Sequence, residues 1–106
     1  MITARYERDG DSHNLSASGH ARYSPYGQDI VCAGVSAIVY ALIGWLENCF
    51  GDTKFVSIDE RGGEVIISAQ GDAFVATAFY MAAIGIEQIA NTYPAHVNID
   101  IVGIAD

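Results

Sequence analysis

The chain has 106 residues, room for one domain with one modest core, and its 13 acidic against 5 basic residues give a net charge of −8. That charge repels phosphate backbones and anionic bilayer surfaces, which argues against nucleic acid or a membrane as direct partner, and it draws in a basic peptide or protein. A hydrophobic content of 51% with mean hydropathy +0.23 is high for so short a chain, and it predicts that part of the apolar surface is covered in a homodimer.

The start, Met1-Ile2-Thr3-Ala4-Arg5, lacks the basic-then-apolar layout of a secretory signal, which predicts a cytoplasmic protein. Ile2, Ala4 and Tyr6 alternate with Thr3, Arg5 and Glu7, the period-two signature of a strand with one buried face, and Asp9-Gly10-Asp11 supplies a turn. A second alternation, Leu15, Ala17 and Gly19 against Ser16, Ser18 and His20, predicts a hairpin partner that delivers His20 at its end. Ala21 to Gln28, with Ser24-Pro25-Tyr26-Gly27 inside it, reads as a loop.

Ile30 to Leu46 carries no formal charge and follows Asp29, a residue suited to capping a helix N-terminus, so it predicts a long first helix that finishes near Glu47, Asn48 and Gly51. Its length is at the lower edge for crossing a membrane. No Lys or Arg flanks it, and Gly34, Ser36 and Gly44 give it close-packing surfaces, so it is read as the buried centre of a small domain or dimer. Cys32 and Cys49 lie on this one helix, too far apart to bridge, and are expected to be thiols.

Phe55, Ser57 and Asp59 alternate with Val56, Ile58 and Glu60; an Arg61-Gly62-Gly63 turn then leads into Glu64 to Ala69, which together predict a second antiparallel hairpin. Asp72 opens a second helix that runs through Tyr93 and is closed by Pro94. Val97, Ile99 and Ile101 alternate with Asn98, Asp100 and Val102 as a last strand. The expected architecture is a single α+β domain over residues 1–106, of order ββαββαβ, with a mostly antiparallel five-stranded sheet packed with two helices.

The residues that carry chemistry lie across the first loop. His20 precedes it, and Cys32 follows it in the first turn of an apolar helix, where unpaired backbone N–H groups and a neighbouring imidazole both favour an ionised, nucleophilic sulfur. The commoner fate of a single helical cysteine is small hydrophobic packing, and on the residues alone both readings stand. His13, His20, Cys32, Cys49 and His96 match no structural zinc spacing, so no metal is expected.

Gly19-His20-Ala21 followed by G-x-D-I-V-C-A-x-V-S from Gly27 to Ser36 resembles the bacterial ribosomal-processing cysteine proteases known as Prp, and the resemblance spans essentially the whole domain. It implies a dimeric, cofactor-free endopeptidase that removes a short N-terminal extension from large-subunit ribosomal protein twenty-seven, a basic partner for an acidic enzyme. The family nucleophile falls on Cys32 and its general base on His20, with Asp29 on the acidic position and Ser36 on the helix serine.

In that chemistry the backbone amides of Cys32 and Ala33 are expected to receive the oxyanion. Asp29 either caps the helix or orients His20, and Ser36 either donates toward sulfur or bonds back to a carbonyl. Tyr23, Tyr26 and Gly27 are expected to form a mobile flap over the substrate. The competing function is a non-enzymatic acidic ribosome-associated binding module that offers a sheet edge. A redox or acyl-transfer enzyme is the further rival, and the absence of a C-x-x-C pair speaks against redox exchange.

Overall fold

A computed structural model describes residues 1–25, 27–50 and 57–103. The elements follow in the expected order: β1 (Ile2–Asp9), β2 (Ser12–Ser18), α1 (Ile30–Phe50), β3 (Ser57–Arg61), β4 (Glu64–Gln70), α2 (Ala73–Thr92) and β5 (Val97–Val102). They build one five-stranded sheet of order β3-β4-β2-β1-β5. The neighbours β3/β4, β4/β2 and β2/β1 are antiparallel, while β1/β5 is parallel, so the mostly antiparallel sheet is in detail a mixed one.

Alternation fixes which face is covered. Ile101, Tyr6, Leu15 and Ile67 stand in one row across four strands, and the buried residues of β1 (Ile2, Ala4, Tyr6) share that face with His13, Leu15 and Ala17 of β2. The opposite face is polar, carrying Thr3, an Arg5–Glu7 ion pair at 3.5 Å and an Asn14 amide that donates to the Ser68 hydroxyl at 2.7 Å. A sheet with one wet face must be covered on the other, and both helices serve that side.

Val31, Val35, Val39, Leu42, Ile43 and Leu46 form the buried stripe of α1, at the three- and four-residue spacing of a helix face; Val75, Phe79, Ala82, Ala83 and Ile86 do the same on α2. By length and composition either helix could cross a bilayer; here both stripes join the inner strand residues in one core. The helices interlock reciprocally: a Cβ on Gly34 would lie 3.2 Å from Cδ1 of Ile89, and one on Gly85 would lie 3.0 Å from Cδ1 of Ile38. Each isoleucine therefore fills the notch its partner's glycine leaves.

Boundaries fall close to expectation. α1 runs to Phe50, within the end expected near Glu47 to Gly51; Glu47, Asn48 and Cys49 are exposed, and Asn48 donates to the Gly44 carbonyl at 2.7 Å. β4 gains Gln70, which pairs with Ser12. The strand start at Phe55 and Val56 lies outside the described residues. Asp72 does cap α2, accepting the Phe74 amide, and Tyr93 is its C-cap.

His13 is the one polar residue among the buried described side chains, 1% exposed within the core rather than placed for a metal. Its ring stacks on Phe79 at 5.3 Å between centroids, Nδ1 lies 2.8 Å from the Tyr6 hydroxyl, and Nε2 has no hydrogen-bond partner. Burial, with help from the Arg8 charge, pushes the imidazole pKa below its usual 6.5.

Candidate active site

The site is built where β2 ends. Gly19 has φ +91°, its amide donates to the Gly63 carbonyl at 3.0 Å, and a Cβ there would strike the Met1 carbonyl oxygen. Only glycine allows the strand to end so close to the N-terminus and the β3–β4 turn. His20 follows immediately, exposed, with its Nε2 3.5 Å from where a Gly63 Cβ would be, so the Gly62-Gly63 turn packs over the imidazole.

Ala21 then turns inward, 1% exposed, and its amide donates toward Sγ of Cys32 at 3.5 Å. The sulfur is thereby held against the residue next to His20. Arg22 takes the left-handed conformation, φ 55°, uncommon for a residue with a side chain, and the loop begins there.

Asp29 closes the loop onto the helix. Its Oδ1 accepts the Val31 and Cys32 amides at 3.0 and 2.9 Å, and its Oδ2 accepts the Tyr23 and Ser24 amides at 2.9 and 3.4 Å. The Cys32 amide first, and the other amides with it, hold this carboxyl below the usual carboxylate range. Of the two roles open to Asp29, the hydrogen bonds are those of a helix cap that also clamps the loop; all of its partners among the described residues are backbone amides.

Both amides expected to receive the oxyanion have partners within the chain. The Cys32 amide is committed to Asp29 Oδ1, and the Ala33 amide donates to the Asp29 carbonyl at 3.0 Å in the ordinary i to i−4 manner. Neither is free for a substrate oxygen in this arrangement. The donor that does point at the sulfur is the Ala21 amide, which no local signal marks because it is set by the path of the chain.

Two clefts adjoin at Cys32. One, about 320 Å3, runs between α1 and the β3–β4 turn and is walled by Ser18, Tyr40, Glu60, Gly63 and Val65; the other, about 760 Å3, runs along the loop past Arg22, Gly27 and Asp29. His20, Cys32 and Ser36 line both. Cys32 is half-buried, a free thiol at the floor of an open trough. Ser36 is exposed one turn along α1 and makes neither of the two hydrogen bonds expected of it.

Of the expected flap, Gly27 (φ +88°) does line the second cleft, and Tyr26 lies outside the described residues. Tyr23 does not line either cleft. Its ring stands edge-on to Tyr93 at 5.2 Å and to His96 at 5.4 Å, drawn to the aromatic pair where α2 ends. His96, in turn, places Nδ1 2.8 Å from the Ala21 carbonyl, a contact across 75 residues that sequence reading missed. Among the described residues no group of His, Cys, Asp or Glu is arranged to hold a metal ion.

Comparison with known proteins gives a consistent result. A family model described as cysteine protease Prp matches residues 1–98. The ribosomal processing cysteine protease Prp of Mycoplasma pneumoniae is 31% identical over 91 residues, covering 83% of this chain and 86% of the relative; that of Mycoplasma genitalium is 36% identical over 90 residues, covering 81% and 85%. Among solved structures, the Staphylococcus aureus ribosomal processing protease Prp with a covalently linked product peptide superposes with TM-score 0.82 over 95% of this chain and 99% of that one, at 22% identity. A Streptococcus mutans protein superposes with TM-score 0.73 at 30% identity, over 96% and 94%.

Proposed function

The chain belongs to the cysteine protease Prp family, and we propose that it is an endopeptidase that uses Cys32 as nucleophile and His20 as general base to remove the short N-terminal extension of large-subunit ribosomal protein twenty-seven. The observation that carries this reading is that Cys32 and His20 both line each of two adjoining clefts, with the residue next to His20 donating its amide toward the Cys32 sulfur. A peptide laid through both would cross Cys32 in mid-chain, which is what cutting an extension off a longer protein requires.

His20 takes the thiol proton, Sγ attacks the scissile carbonyl, and the imidazolium protonates the departing amine; water, deprotonated by the same histidine, then releases the acyl group. The Ala21 amide, already directed at the sulfur, is beside the carbonyl oxygen once the acyl bond forms and can take the developing charge. Asp29 acts at a remove, holding the helix start and the loop in one piece. Ser36, on the floor of both clefts, is offered to the substrate backbone.

The net charge of −8 suits a basic ribosomal protein as substrate and a cytoplasmic setting in which ribosomes assemble. Large apolar side chains left outside the core, Phe74 at 73% and Met81 at 70% exposed on α2 and Tyr40 at 60% on α1, support a homodimer. The test of the activity is incubation with a peptide spanning the N-terminal extension and the first mature residues, read by mass. One cut by the wild-type protein and none by Cys32→Ala is expected; an intact peptide, or equal cutting by both proteins, would refute the reading.

A further inference from the structure

We propose that His96 is a positioning residue for this reaction, holding the Ala21 carbonyl so that the Ala21 amide stays aimed at the Cys32 sulfur and His20 stays beside it. The inference rests on the protease reading of Cys32 and His20.

A carbonyl oxygen can only accept, so the 2.8 Å contact requires that Nδ1 of His96 carry the proton. His96 is itself fixed from both sides: its amide donates to the Tyr93 carbonyl at 2.9 Å, and its carbonyl accepts the Ile2 amide at 2.9 Å. The ring is therefore attached to the C-terminus of α2 and to the first strand, not to the loop it holds. The loop thereby gains an anchor that lies outside it.

What the anchor holds is the residue where direction matters most. Ala21 offers its carbonyl to His96 and its amide to Sγ, so one peptide unit on each side of a single buried alanine links the two side chains. Directly after it Arg22 sits at φ 55°, a conformation that persists for a residue with a Cβ only when neighbours impose it. Tyr23, edge-on to the His96 ring, and Asp29, bonded to the Tyr23 amide, hold the far side of the same bend. Released at the Ala21 carbonyl, the bend can relax, and both the sulfur's donor and the imidazole lose their bearing.

Three substitutions separate this role from packing, each made in a Cys49→Ser background so that a single thiol is read. His96→Asn keeps an N–H at the Nδ1 position and loses the ring; His96→Leu keeps apolar bulk against Tyr23 and loses the donor; His96→Gln carries its donor one bond too far. Peptide cleavage and iodoacetamide alkylation of Cys32 are measured, with rates referred to the folded fraction read by circular dichroism. His96→Leu and His96→Gln are expected to lower kcat and the alkylation rate about tenfold, the worth of one hydrogen bond, with KM within about twofold of wild type. His96→Asn is expected to restore most of the loss.

Leu rates equal to wild type, Asn rates no better than Leu, or Gln rates equal to Asn would each overturn the proposal. Failure of the wild-type protein to cleave would instead refute the protease reading, while the alkylation series still reports on the positioning of the sulfur.

Discussion

The amide of Cys32 is bonded to the carboxylate of Asp29 at 2.9 Å, while the second oxygen of the same carboxylate holds the amides of Tyr23 and Ser24. One side chain thus ties the start of the helix that bears Cys32 to the loop that follows His20. The two halves of that grip can be separated chemically.

Asparagine caps a helix about as well as aspartate, but it offers one oxygen where aspartate offers two. Asp29→Asn should keep the Val31 and Cys32 bonds and turn an N–H2 group on the Tyr23 and Ser24 amides. Thermal unfolding near the wild-type temperature, with a roughly ten- to hundredfold loss in cleavage rate from a displaced loop, is the expected result. Asp29→Ala should lose in both measurements. Because amide bonds hold the folded carboxyl below its ordinary value of 3.8, its contribution to stability is present above that pH and is lost as the pH falls through the lower folded value.

Alkylation of Cys32 tests the pairing of base and nucleophile without any substrate. His20→Ala should slow modification at neutral pH and lower peptide cleavage by about 10²- to 10⁴-fold, while leaving the unfolding temperature unchanged because the ring is exposed. Mass spectrometry of the modified thiol, in a protein lacking Cys49, reads it directly. An unchanged alkylation rate would mean that the histidine does not serve this sulfur.

The core histidine predicts acid lability. His13 is held neutral in the fold, and its pKa is below the 6.5 it has when unfolded, so the unfolded chain binds the extra proton. The stability it permits is complete above that pH and is lost as the pH falls from there toward the folded value. Urea unfolding followed between about pH 8 and about pH 5 should show wild-type stability declining by the uptake of about one proton, and His13→Phe should remove that part of the decline. A variant with the parent's pH profile would assign the effect to other groups.

Gly19→Ala should destabilise the fold by about 2–4 kcal/mol, the sum of a strained φ and a Cβ driven against the Met1 carbonyl. Chemical denaturation measures it. The turn glycine Gly10, at the other end of β2, also has positive φ but open space around it, and should lose less on the same substitution.

Local chemistry was readable before any coordinates. The alternation of Ile2, Ala4 and Tyr6, the capping residues Asp29 and Asp72, and the turn at Gly62-Gly63 each act through neighbours in sequence, and each stands where the residues imply. The parallel pairing of β1 with β5 joins the two ends of the chain, and no period or turn residue encodes it. The same limit applies to the site. Asp29 reads equally as a cap or as an orienter of His20 until its four amide bonds are seen, and Tyr23 reads as part of a flap until Tyr93 and His96 arrive from far along the chain to meet it.

The crossed notches of Gly34 with Ile89 and Gly85 with Ile38 have an effect beyond close packing. Two helices with a peg and a socket each cannot slide lengthwise past one another, since any shift would drive both pegs out at once. The N-terminal end of α1, which bears the thiol, is thus kept level with the C-terminal end of α2, which leads into His96. Distance between the two ends is gauged by the helix pair itself, so the reach from His96 to the Ala21 carbonyl is not left to the loop alone.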